Sequence, residues 1–204
     1  TVEPVASDAE ALEVATNQAG TSQAQIENGD FSTTEGPSLR PNSPGWDYYA
    51  AGDVPGWEAI DGAHIELQTL FPQEPDDAYA ELVAHPGPDD DYPDGHSGLR
   101  QTVDTQIGQT YLLRFDCAAH PWHSASLSDF SVEIDDVKID VDGQSSTVEF
   151  TSTNTWETRI FAFEATSAQT KIEFIPDGIS GFIDKVELLK VDTVTINSFI
   201  RQNN

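Results

Sequence analysis

Three short stretches carry the side chains best suited to chemistry. In the first, His120-Pro121-Trp122-His123-Ser124, an indole lies between two imidazoles in a segment with no core-forming alternation. An aromatic ring held on such a loop can stack on the face of a sugar while His or Arg neighbours bond its hydroxyls or carboxylates. The alternative is a ring that packs over one end of the domain. Tyr92, in the Asp- and Pro-rich stretch from His85 to Gly95, is a further candidate, followed by Trp46, Tyr48 and Tyr49.

The second stretch is Gly181-Phe182-Ile183-Asp184-Lys185-Val186-Glu187-Leu188-Leu189, in which Asp184 shares the parity of Phe182, Val186 and Leu188. Period-two alternation makes these the core side of a strand. An inward carboxylate is costly unless it accepts hydrogen bonds or coordinates a cation. Backbone amides at a strand end would satisfy it, and so would calcium, a hard ion that prefers oxygen. Partners for such an ion are expected near Asn28 to Glu35.

The third set is cationic. Arg100, Arg114 and Arg159 fall by parity on the non-core sides of strands. They either neutralise neighbouring carboxylates, worth little per exposed pair, or read uronate or sulfated sugars with their planar guanidinium groups.

Other chemistries find less support. His120 and His123 with His96 and Cys117 give a short His-x-x-His spacing but no second local pair, whereas a closed zinc site needs four nitrogen or sulfur ligands. A His with one of Asp90, Asp91, Asp94 or Glu66 could serve acid–base catalysis, but in a chain this acidic some such pair always arises. No G-x-S-x-G, H-E-x-x-H, phosphate-loop or dinucleotide fingerprint is present.

Composition narrows the partners. Nine Lys or Arg against 36 Asp or Glu give a net charge of −27, which disfavours nucleic acid and anionic membranes and suits divalent cations or a saline, marine setting. A single cysteine, Cys117, excludes an internal disulfide and reads as a buried thiol. With no signal-peptide pattern and no membrane-length apolar run, the chain is expected to be a mature protein or an excised module without membrane insertion.

The elements that must position these residues are strands. Leu99, Gln101 and Val103 alternate before a Gly-containing turn, and Tyr111, Leu113, Phe115 and Cys117 alternate after it, the pattern of two antiparallel strands. Further strands are expected at Ala63 to Leu70, Ala78 to Ala84, Phe130 to Ile134, Val137 to Val141, Ser146 to Thr151, Trp156 to Glu164, Lys171 to Ile175, Phe182 to Val191 and Val194 to Ile200. Trp57 and Trp156 are expected in the core. Ser32 to Asp61 is too rich in Pro and Gly for a helix or central strand. Residues 1–25 read as an acidic linker or loosely docked arm, and 26–204 as one β-sandwich or jelly roll.

Several pieces then occur in a recognisable order: Asn28-Gly29-Asp30-Phe31, Gly56-Trp57, Ile65 to Leu67, Ala80 to His85, Ser97 to Asp116, Trp156 with the strand after it, Thr170 to Phe174 and Gly181 to Leu189. This order resembles the galactose-binding-domain-like jelly rolls, in particular exported bacterial and plant cell-wall modules, and more distantly the carbohydrate-binding modules of bacterial glycanases. The resemblance implies an all-β jelly-roll β-sandwich, a structural calcium ion between the first strand's loop and the last strand, and glycan binding without catalysis. The family's metal-binding Asp falls on Asp184. Ser32 stands where the family pattern has Glu, so Asp30 or Glu35 is expected to substitute.

The function expected is therefore a non-catalytic, calcium-stabilised carbohydrate-binding module of a secreted or surface-displayed bacterial protein, with neighbouring domains and a polysaccharide or oligosaccharide as partners. Its ligand-binding residues would be Trp122, His120, His123, Arg114, Arg100 and Tyr92. A structural or adhesion domain is the alternative, followed by a jelly-roll lyase or hydrolase.

Overall fold

The computed structural model describes residues 23–24, 26–39, 45–60, 64–74, 77–83, 98–139, 147–153, 155–177 and 180–191. In chain order the strands are β1 Gln23–Ala24, β2 Trp46–Ala50, β3 Glu58–Ile60, β4 His64–Gln68, β5 Tyr79–Val83, β6 Gly98–Asp104 and β7 Thr110–Ala119. After a 3-10 turn at Ala125–Leu127 come β8 Phe130–Ile134, β9 Val137–Lys138, β10 Thr147–Val148, β11 Glu157–Glu164, β12 Gln169–Pro176 and β13 Ser180–Val191. One sheet runs β11-β7-β13-β5-β4-β2 with β1 added beside β13; the other runs β10-β8-β12-β6-β3 with β9 beside β8. The two antiparallel sheets form an all-β jelly-roll sandwich.

Period-two alternation accounts for the core. Leu99 and Val103 of β6 and Tyr111, Leu113, Phe115 and Cys117 of β7 all enter one buried cluster, joined by Phe130, Val132, Ile172 and Phe174 from the facing sheet. Phe115 sits at its centre, with ring contacts to Phe161, Phe174 and Phe130. Burial pushes the Cys117 thiol up to about 12, so it is an inert packing group.

Yet β6 and β7 do not pair with each other as the sequence pattern suggests. β6 lies between β12 and β3, whereas β7 lies between β11 and β13. The Gln106–Gln109 turn crosses from one sheet to the other. Gly108 adopts a φ of 74° there, and its N–H donates to Ala165 O at 2.8 Å. The two apolar faces share a phase because they approach the same core from opposite sides, a pattern that a hairpin and an inter-sheet arch have in common.

Two other expectations change. Trp156 is only partly buried and packs with Tyr79, Ala118 and Phe182 in a second cluster outside the inter-sheet core. Arg159 pairs in register with Phe115, which puts it on the core side of the edge strand β11, where it bridges Glu157 at 2.7 Å. Between Ser32 and Asp61 the chain does form strands, but β2 and β3 both lie at sheet edges. The strand expected at Val194 to Ile200 lies outside the described residues, as do nearly all of residues 1–25.

The Asn28–Phe31 turn is fastened to the sandwich at three points. Trp57 Nε1 donates to Asn28 O at 3.0 Å, the Phe31 ring stacks on Trp57 at 5.2 Å, and Val186 N–H donates to Gly29 O at 2.9 Å. A Cβ on Gly29 would sit 2.1 Å from Val186 O, so only glycine permits this approach. Replacing Gly29 with Ala should force the turn off β13 and cost about 2 kcal/mol or more, as other sterically incompatible substitutions do. A fall in melting temperature against wild type is the expected result, and an unchanged one would show that the contact is not needed.

Candidate functional site

The outward face of the seven-stranded sheet gathers polar and aromatic side chains that strand alternation alone would have left in water. Register puts them in rows across the strands. Tyr48, Glu66, Glu81, Phe182 and Ala118 form one row, each directly opposite the next. In the neighbouring row, Trp46 faces Gln68, Gln68 faces Tyr79, and Asp184 faces Asp116, which in turn faces Thr158.

Much of this face is buried. Glu66, Gln68, Glu81 and Tyr79 expose 6% or less of their surface. Gln68 Nε2 donates to Glu66 Oε1 at 3.1 Å and to Glu81 Oε2, so one amide joins two carboxylates across the strands. Tyr79 Oη accepts the Phe71 N–H at 3.0 Å and donates to Gln68 Oε1, and Trp156 Nε1 donates to Phe71 O at 3.1 Å. The segment after β4 is thereby drawn over the sheet, with Tyr79, Phe182 and Trp156 in mutual ring contact beneath it. Burial is the main cause that pushes the Tyr79 phenol well above its usual range, so the hydroxyl stays a donor.

The loop from His120 to His123 rises at the edge of this cluster. Trp122 is 68% exposed, yet its ring is fixed edge-on against Phe71 at 5.3 Å and His120 at 5.4 Å. Its backbone N–H donates to His120 Nδ1 at 3.2 Å. His120 itself is buried: its own N–H donates to Ser128 Oγ, its ring lies 4.6 Å from that of His123, and Nε2 is 3.9 Å from Glu81 Oε1. Burial first, and the His123 charge second, lower its pKa to about 4, so the imidazole is neutral at pH 7.

The rest of the expected ligand-binding set does not converge on this loop. Arg114 lies on the same sheet but is held by Glu187 at 3.0 Å. Arg100 belongs to the opposite sheet, where it bridges Glu58 at 2.9 Å, so it cannot line a site with Trp122; equal parity on two strands says nothing about which sheet each joins. Tyr92 lies outside the described residues, as does the His85 to Gly95 stretch. Sequence reasoning took Glu66 only as one of several acidic partners for a His, and passed over Gln68, Glu81 and Tyr79. Glu66, Gln68 and Glu81 read as the wet side of a half-buried strand, and only strand order reveals that they sit under a folded-down segment.

Asp184 is 1% exposed, but it does not point into the inter-sheet core. A register shift between Asp184 and Glu187, with Lys185 at a φ of 49°, breaks the strand's parity. Ile183, Val186 and Leu188 therefore enter the core, and Phe182 and Asp184 go to the outer face. Asp184 Oδ1 accepts the Lys185 N–H at 2.7 Å, with Asp77 and Asp116 nearby. Asp116 is engaged by Thr158 at 2.6 Å and Gln73 at 3.1 Å. Burial, reinforced by Asp77 and Asp116, pushes the Asp184 carboxyl up to about 8 against the weaker pull of the Lys185 amide and charge.

A buried carboxyl so hard to ionise suits a cation, but the expected partners are not assembled around it. Asp30 Oδ1 binds the N–H and hydroxyl of its neighbour Ser32, and the Glu35 N–H donates to Asp53 O. Among the described residues no three His, Cys, Asp or Glu side chains are grouped to hold a metal ion. A cleft of about 350 Å³ lies elsewhere, between Glu27 and Asp104, but its lining has no aromatic ring and its Gln101 is occupied in clamping the Glu27 backbone.

Fold and face together define a jelly-roll sandwich with an aromatic and carboxylate face on its larger sheet. The chain belongs to the family described as "Protein of unknown function (DUF642)", which matches residues 24–187. No curated protein matches it. Among solved structures it is similar to a chain described as "CBM4 structure and function", at 23% identity and a TM-score of 0.44 over 81% of this chain and 99% of that one. An isomalto-dextranase of Arthrobacter globiformis T6, complexed with panose, gives 14% identity and a TM-score of 0.45 over 72% of this chain and 24% of that one. The ANXUR1 extracellular domain of Arabidopsis thaliana gives 15% and 0.36 over 48% and 28%. Among the described residues no helix is long and apolar enough to cross a membrane.

The raised Asp184 pKa has a definite sign. Between the ordinary value of 3.8 and about 8 the folded chain holds a proton that the unfolded chain has lost, so this residue's contribution falls as pH rises through that window. In the presence of chelator, Asp184→Asn should keep the bond from the Lys185 amide, flatten that slope and raise stability at pH 8 by on the order of 2 kcal/mol. Denaturant titrations at pH 5 and pH 8 measure both effects, and equal slopes for variant and wild type would contradict the assignment.

Proposed function

We propose that the protein is a non-catalytic glycan-binding module of a secreted or surface-displayed protein, in which Trp122 is the stacking platform. The observation that carries this is an indole 68% exposed but already fixed by Phe71 and His120. A ring of that size, exposed and held in one orientation, offers a flat apolar surface that the C–H face of a sugar fits. His123, whose ring lies 4.6 Å from that of His120 on the same loop, would bond a hydroxyl of the stacked sugar. The resemblance of the motif order to galactose-binding-domain-like modules supports the same reading.

The sugar is neutral rather than uronate or sulfated. Arg114, the arginine on the same sheet, is paired with Glu187, and the rows behind Trp122 are lined by Glu66, Glu81 and Asp116. An anionic chain would meet carboxylates and a net charge of −27 there. Binding is expected to be weak for one module and to gain from neighbouring domains.

A structural calcium ion at Asp184 belongs to the same proposal, supported by the buried carboxyl, by the Asp77 and Asp116 carboxylates near it, and by the first turn locked to the adjacent bulge. An ion bound to the folded state alone raises its stability, so chelator should lower the melting temperature of wild type and leave Asp184→Ala unmoved. No shift in wild type would remove the ion.

The binding proposal is tested by a glycan array followed by calorimetry on the best neutral polysaccharide. Trp122→Ala should weaken binding by about tenfold or more, the equivalent of roughly 1.4 kcal/mol for one lost stacking contact, with the melting transition kept. Equal affinity for variant and wild type would disprove the platform, and an array without hits would favour a structural or adhesion domain.

A further inference from the structure

We infer that His120 is the positioning residue of the Trp122 loop: a neutral imidazole whose bare Nδ1 holds the Trp122 amide, so that protonating this one ring releases the platform. The inference rests on the glycan-binding reading for its meaning, but not for its geometry.

The hydrogen bond fixes the tautomer. Trp122 N–H can donate at 3.2 Å only to a nitrogen without a proton, so the ring proton must sit on Nε2, which faces Glu81 Oε1 at 3.9 Å. Three neighbouring elements face the ring. β5 supplies the Glu81 carboxylate, β13 supplies the apolar Phe182 ring at 5.1 Å, and the loop supplies His123 at 4.6 Å. Ser128 holds the His120 backbone from below through its hydroxyl. The imidazole is thus buried, directional and joined to the exposed indole through both its backbone and its ring.

Protonation at Nδ1 turns the acceptor into a donor. The Trp122 N–H and the new His120 N–H then point at each other, and the short loop must open to separate them. Buried with His123 close by, the ring resists that proton until well below neutral pH, and Glu81 opposite Nε2 is the group that favours the charge once it forms. The outcome is an indole that is rigid at neutral pH and loose in acid, driven by a residue that exposes only 5% of its surface.

Ligand-free readouts test this directly. Nitrogen chemical shifts of the His120 ring report the tautomer, and Trp122 amide exchange, together with the emission difference between wild type and Trp122→Phe, reports the loop. At pH 7 Nδ1 should be unprotonated. On acidification the Nδ1 signal, the Trp122 amide and the indole emission should change with one shared midpoint near pH 4, the value to which burial lowers His120.

His120→Asn provides the control, because an Asn carbonyl can accept the N–H two residues on and does not titrate. That variant should keep Trp122 amide protection and lose the acid transition. His120→Ala should lose roughly fivefold in amide protection at pH 7, the equivalent of one neutral hydrogen bond. A proton on Nδ1 at pH 7, or Trp122 signals in His120→Ala that match wild type, would overturn the inference. If the loop titrates as described but no polysaccharide from the array binds at either pH, the positioning role stands and the glycan reading fails.

Discussion

The break in parity between Asp184 and Glu187 is the constraint on which both faces of the larger sheet depend. β13 lies between β7 and β5, so its bulge decides which of its side chains enter the core and which join the rows of the outer face. Lys185 absorbs the change with its left-handed backbone. On one side Ile183, Val186 and Leu188 complete the inter-sheet core; on the other, Phe182 joins Tyr79 and Trp156, and Asp184 meets Asp116. Gly29 O receives the Val186 N–H within the bulge, which satisfies a donor that the ladder has released and ties the first turn to the last strand.

Much of the fold was legible because alternation is a local property. The strands around Leu113, Val132 and Ile172, the burial of Cys117 and the core position of Trp57 all follow from which side chains recur at every second residue. Sheet membership is not local. β6 and β7 carry the alternation of a hairpin and are separated by the whole thickness of the core, and Arg100 was displaced from the site for the same reason. The bulge escaped notice because Asp184-Lys185-Val186 has no glycine to mark a positive φ, so Asp184 read as a core residue with the parity of Val186.

The site was legible in part. Trp122, His120 and His123 stand together as their spacing suggested, since four consecutive residues on one loop cannot lie far apart. Glu66, Gln68 and Glu81 were invisible as a group because they come from two strands, and their burial arises from a third segment whose Phe71 backbone is caught by Tyr79 and Trp156. Arginine was overvalued for a related reason. In a chain with four acids for every base, carboxylates capture the guanidinium groups of the described residues, and Arg100, Arg114 and Arg159 are all paired.

Rigidity explains why an exposed indole at this position is more useful than the same residue elsewhere on the surface. Ordering a mobile side chain on binding costs on the order of 0.5–1.5 kcal/mol, comparable with what one sugar ring gains by stacking. A free tryptophan would give up part of its contact energy to its own immobilisation. Trp122 is ordered before any ligand arrives, by Phe71 at its edge and His120 at its backbone, and both are anchored in the cluster that the β13 bulge creates. Tyr79, Phe182 and the partly buried Trp156 thus fix the floor on which the Trp122 loop stands, and under the proposed glycan binding they would act without touching a ligand.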